Sequence, residues 1–117
     1  MAERKPTSVN YLNETFLDDR CVLNKVLKII GKRWVSEILL MIEKDVNRFS
    51  LIKENLDGIS DNVLSHSLAD LVKHGILAKK VFEEVPMRVE YGLTGAGVAL
   101  LREIHNLCQW GRDHVEN

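Results

Sequence analysis

The sequence predicts a mostly helical α+β fold, and three observations carry that expectation. Apolar residues recur at helical spacing around residues 22–42, 64–72 and 98–108. Residues 77–93 alternate with period 2 about a turn, as paired strands do. The chain has 117 residues, 45% of them apolar, enough for one compact core and too few for two independent domains.

The elements follow in order. Residues 1–20 form a polar N-terminal extension, in which Val9, Leu12 and Phe16 are spaced for a modest helix capped by Ser8. From Cys21, the positions Val22, Val26, Ile29 and Ile30 predict a helix of about three turns that Gly31 stops. Trp34, Val35, Ile38, Leu39, Met41 and Ile42 are apolar almost all round, which suits a core helix running to about Lys44. Arg48-Phe49 is expected as a very short strand, with Phe49 plugging the core and Ser50 capping a helix through Leu56.

After the break at Asp57-Gly58-Ile59, Ser60 caps a second helix, Asp61 suits its positive start, and Gly75 supplies a left-handed stop. Helix, tight turn, helix over about 50–74 is helix-turn-helix spacing. Leu77–Glu83 and Arg88–Leu93 then make a hairpin, the wing, about 77–93. Thr94 caps a last helix, about 94–114, striped with Val98, Leu101, Ile104, Leu107 and Cys108. Residues 21–117 therefore read as a winged helix-turn-helix with extra N- and C-terminal helices, whose surplus apolar surface suits dimerisation.

Composition narrows the function classes. No run approaches the roughly 18 apolar residues of a membrane helix, and Met1–Pro6 lacks a secretory apolar stretch, so no membrane partner and a cytoplasmic location are expected. Cys21 and Cys108 form no CxxC pair, and His105, Cys108 and His114 do not make a metal site on their own. No triad, paired carboxylates or phosphate loop sits at usable spacing, so neither an enzyme nor a cofactor is expected. Sixteen basic against 17 acidic residues give a net charge of −1. Residues 21–53 nevertheless carry +4, and 54–117 carry −4, so contact with a polyanion must use selected cations placed by the fold.

One collinear set of residues is more specific. Cys21, Ile30-Gly31-Lys32-Arg33-Trp34, Arg48-Phe49-Ser50, Gly58-Ile59-Ser60, Leu64-Ser65, Gly75-Ile76-Leu77, Val85-Pro86, Arg88-Val89-Glu90-Tyr91, Leu93-Thr94, Gly97 and Trp110-Gly111 resemble the HxlR family of winged-helix transcription regulators. The resemblance implies a homodimer on double-stranded DNA at an inverted-repeat operator. In some branches it also implies a reactive small-molecule inducer sensed through a cysteine, at the position of Cys21.

With Leu64, Leu68, Leu71 and Val72 facing inward, Asn62, Ser65, His66, Ala69 and Lys73 occupy the outer face of the second helix, where a major groove is read. Ser60, Arg48, Lys79 and Lys80 are further DNA contacts, and Arg88 beside the wing tip can enter a minor groove. The family commonly has Lys where this chain has Asn62 and Arg where it has Ser67, which removes phosphate contacts and keeps open a second reading, a winged-helix protein-interaction dimer with weak or no DNA binding. Cys21 at a helix start, near Arg20 and Lys25, has the setting of a reactive thiolate. Cys108 is the second redox candidate, with core packing as the alternative for both.

Overall fold

The computed structural model describes residues 20–116, so the expected helix around Val9–Phe16 lies outside the described residues. The chain forms two compact units, Met1–Lys32 and Arg33–Asn117. In the first, residues 20–30 are helical (α1), and the Gly31 amide donates to the Leu27 carbonyl at 2.7 Å. Gly31 ends the helix without a positive φ; a Cβ there would collide with the Leu27 carbonyl oxygen, so close approach and not handedness demands glycine. Val22, Leu23 and Leu27 of α1 are exposed.

The second unit contains α2 (Val35–Glu43), α3 (Phe49–Asn55), α4 (Asp61–Lys73), β1 (Leu77–Phe82), β2 (Arg88–Leu93) and α5 (Gly95–His114). Its core is the inward face of each: Ile38, Leu39, Ile52, Leu64, Leu68, Leu71, Leu77 and Leu101 are essentially sealed from solvent. No polar or charged side chain is buried among the described residues, so apolar burial is what holds these elements together. Trp34 stands just ahead of α2 in the left-handed region, φ 79°, half-buried, with the Arg33 guanidinium 4.5 Å over its ring.

Two local expectations change. Ser50 does not cap α3; the helix starts at Phe49, after Arg48 in extended geometry with no side-chain cap. Arg48 instead forms a single bridge with Glu90, and the Asn47 carbonyl accepts from the Tyr91 amide at 2.9 Å, so this segment borders β2 before the chain turns helical. Phe49 is thus the first residue of a helix, and half-buried, where a strand residue plugging the core was expected.

The α4 signals hold. Ser60 Oγ accepts the Val63 amide at 3.1 Å, and Gly75 leaves the helix at φ 74°. β1 and β2 pair antiparallel from Leu77 opposite Leu93 to Phe82 opposite Arg88. A knot of bonds then sets α5: Thr94 Oγ1 accepts the Gly97 amide at 3.0 Å and reaches the carbonyls of Gly75 and Ile76, while the Thr94 amide donates to Ile76 at 3.1 Å. Gly97 is buried against Ile76 so closely that a Cβ would overlap its carbonyl oxygen.

Candidate nucleic-acid interface

The helix-turn-helix is α3, the turn around Gly58, and α4. The link between its helices is a side chain: Lys53 Nζ donates to the Ile59 carbonyl at 2.7 Å and lies 3.6 Å from the Asp61 carboxylate. Lys53 therefore holds the turn, and Asp61, which would otherwise repel phosphate at the start of α4, faces an ammonium.

With Leu64, Leu68 and Leu71 buried, Asn62, Ser65, His66, Ala69 and Lys73 are all exposed on the other side of α4, and Val72 is half-buried at the margin. Ser60 is exposed but its oxygen is engaged as the cap. Strand alternation sends the two wing lysines to opposite faces of the hairpin. Lys79, opposite Tyr91, shares a cleft with Ser65 and Ala69 of α4, whereas Lys80, opposite Glu90, lies 5.0 Å over the Phe82 ring.

Arg88 differs most from a free wing cation. Its guanidinium lies 3.9 Å over the Phe82 ring, with Glu84 at 3.2 Å; its buried Nε is 3.4 Å from Glu90 without hydrogen-bond geometry. Glu84 and Glu90 thus converge on Arg88. Arg48 and Ser50 are exposed and line a shallow cleft of about 270 Å3 with Met87 and Arg88.

The sequence reading missed Tyr91 as a site residue. It is 7% exposed and forms part of the cleft wall beside Lys79; burial pushes its hydroxyl pKa up. Its period-2 register with Lys79 was the available signal.

The two candidate thiols are both exposed. Cys21 lies in α1, which is already helical at residue 20. Cys108 lies on α5, where Leu101 and Ile104 are buried but Val98, Leu107 and Trp110 are 47%, 58% and 56% exposed. The stripe expected to pack is therefore half-covered, and Cys108 is on its open part. No described helix is long and apolar enough to cross a membrane.

A helix-turn-helix whose outer helix is polar and exposed, followed by a two-stranded wing, defines a winged-helix transcriptional regulator rather than an enzyme. Residues 29–117 match the HxlR-like helix-turn-helix family, and the chain belongs to it. It is 32% identical, over 96% of its length and 89% of the relative's, to an uncharacterised HTH-type transcriptional regulator of Methanothermobacter thermautotrophicus. Among solved structures it resembles the reduced form of the transcriptional regulator YodB from B. subtilis (30% identity, TM-score 0.70, 80% of this chain and 91% of that one). It also resembles the redox regulator HypR in its oxidised form (27% identity, TM-score 0.70, 80% and 97%).

Proposed function

We propose that this regulator acts as a homodimer that reads an inverted-repeat operator, with α4 in the major groove and the hairpin beside it. The observation that carries the reading is the outer face of α4. Five exposed residues, Asn62, Ser65, His66, Ala69 and Lys73, are short or hydrogen-bonding and are backed by three fully buried leucines, so the helix presents base-reading chemistry on a rigid support. Lys73, Lys79 and Arg48 are exposed cations suited to phosphate, and Ser60 fixes the start of the reading helix. Lys80 and Arg88 act on the wing's other face, Arg88 by holding its shape. The exposed Val98, Leu107 and Trp110 of α5 support a dimer contact on that helix. Two copies would set their reading helices one turn of DNA apart, about 34 Å.

A band shift with inverted repeats from the chain's own upstream DNA tests this. Retarded bands at low salt, lost when one half-site is scrambled, are expected; folded protein that retards none of them refutes the reading and leaves the protein-interaction dimer.

Thiol control is the finer part of the proposal. Cys21 and Cys108 are exposed, as a sensing thiol must be, and the similar proteins YodB and HypR are described in reduced and oxidised forms. Diamide should release the operator from the native protein and not from Cys21→Ser. Equal release from both, or none from either, overturns Cys21 as the sensor.

A further inference from the structure

Between α4 and the hairpin lies a cleft of about 490 Å3, whose size falls in the range of small-molecule sites; the neighbouring one beside Arg48, at about 270 Å3, falls below it. Two periodicities build it. Ser65 and Ala69 are one helical turn apart on α4, and Lys79, Val89 and Tyr91 share one face of the hairpin. Phe49, first residue of α3, completes the wall. Ala69 keeps the mouth open because its side chain stops at a methyl.

The lining has a definite chemistry. Phe49 and Val89, both half-buried, offer a flat apolar surface, and the Tyr91 ring is buried beside them. Lys79 supplies a cation, and no carboxylate among the described residues lines the cleft; Glu84 and Glu90 are engaged with Arg88. Ser65 and Tyr91 add two hydroxyls. Burial raises the Tyr91 pKa, so the phenol stays a neutral donor. An apolar slot with one cation and two hydroxyl donors suits a flat molecule with an anionic end.

We propose that this cleft binds a small aryl carboxylate, its carboxylate held by Lys79 with Ser65 and Tyr91, its ring against Phe49 and Val89, and that occupation excludes DNA. The exclusion rests on the reading of α4 and Lys79 as DNA contacts, since the ligand and the operator would then need the same Ser65 and Lys79. Binding of the ligand does not depend on that reading.

Benzoate is the probe, with benzyl alcohol as its uncharged isostere and acetate as the anion without a ring. Binding to the native full chain is followed by saturation-transfer NMR, and operator affinity by fluorescence anisotropy with and without benzoate. The expected result is saturable benzoate binding in the millimolar range, with both controls weaker by about tenfold or more. Lys79→Gln should weaken benzoate by about fivefold or more, and Ala69→Leu, an exposed helical position, should close the cleft and abolish binding, both variants keeping native circular dichroism. Binding that fails to saturate by about 20 mM, survives both variants, or is matched by benzyl alcohol overturns the site. In the DNA arm, saturating benzoate should weaken the operator complex of the native protein by about tenfold, and acetate at the same concentration should leave it unaffected. Unchanged operator affinity with benzoate bound overturns the exclusion. A protein that binds no DNA fails the proposed function instead, and the NMR arm still decides the site.

Discussion

Lys79 and Arg88 belong to one hairpin and carry the same charge, yet their surroundings predict opposite behaviour on DNA. Lys79 is exposed, on the α4 side, in a cleft where none of the described lining residues is a carboxylate; Arg88 is in contact with Glu84 and Glu90. A phosphate neutralised on B-DNA contributes about 0.9 to the slope of log affinity against log salt, so one residue used in both subunits contributes about 1.8. Between roughly 50 and 200 mM salt that is about a tenfold difference in affinity. Lys79→Ala should flatten the slope by about 1.8, so its defect is large at low salt and small at high salt. Arg88→Ala should change the slope by less than about 0.9 while weakening binding at every salt concentration, because it removes the guanidinium that pairs across the strands with Phe82 and keeps two carboxylates from repelling the DNA. Fluorescence anisotropy of a labelled operator at four or five salt concentrations gives both slopes. Equal flattening in the two variants would mean that Arg88 abandons its carboxylates for phosphate, and the reasoning from its ion pairs would fail.

Other outcomes follow from the same structure. Gly97→Ala should destabilise the fold by about 2 kcal/mol in urea unfolding, since the new methyl overlaps the Ile76 carbonyl. Gly95→Ala in the same helical turn meets nothing within 4 Å and should be neutral or mildly stabilising; equal stabilities would refute the packing argument. The raised pKa of Tyr91 means that the folded chain holds this proton more tightly than the unfolded one. The stabilisation is therefore full below pH 10.0, the ordinary tyrosine value, and lost as pH rises through the higher folded value; Tyr91→Phe should remove that part of the alkaline decline in stability. Asn62→Ala and His66→Ala should shift operator preference, by about 1–3 kcal/mol where a good base contact is lost, with little change in salt slope; binding selections on randomised half-sites measure both.

The parts of the fold legible in the sequence are those whose causes are local. As caps and a stop, Ser60, Thr94 and Gly75 act within a few residues of themselves, and each ends or begins an element as its side chain or lack of one requires. Alternation along 77–93 likewise fixes which residues share a hairpin face. What escaped is non-local or against propensity. Ser50 had the right chemistry for a cap, but the Arg48–Glu90 bridge and the Asn47–Tyr91 hydrogen bond commit the preceding residues to the sheet and start the helix two positions earlier. A left-handed tryptophan at 34 is not a choice that residue preferences suggest. Arg88 could be assigned to the wing from sequence, whereas its engagement by Glu84 and Glu90 depends on how the wing turn folds back. The cleft at Tyr91 needs helix and hairpin together, so neither periodicity alone reveals it.

The knot at Thr94 has a mechanical consequence. The end of α4, the root of the hairpin and the first turn of α5 meet there within two carbonyl groups, those of Gly75 and Ile76, and Gly97 leaves no slack between them. A helix of 20 residues is an arm about 30 Å long, so displacing its free end by some 2.5 Å tilts it by about 5°. Because the near end is pinned to the carbonyls just past the end of α4, the pivot of that arm is also a hinge point of α4. Force applied at Cys108 or Trp110, well along α5, would reach the C-terminal end of α4 as rotation.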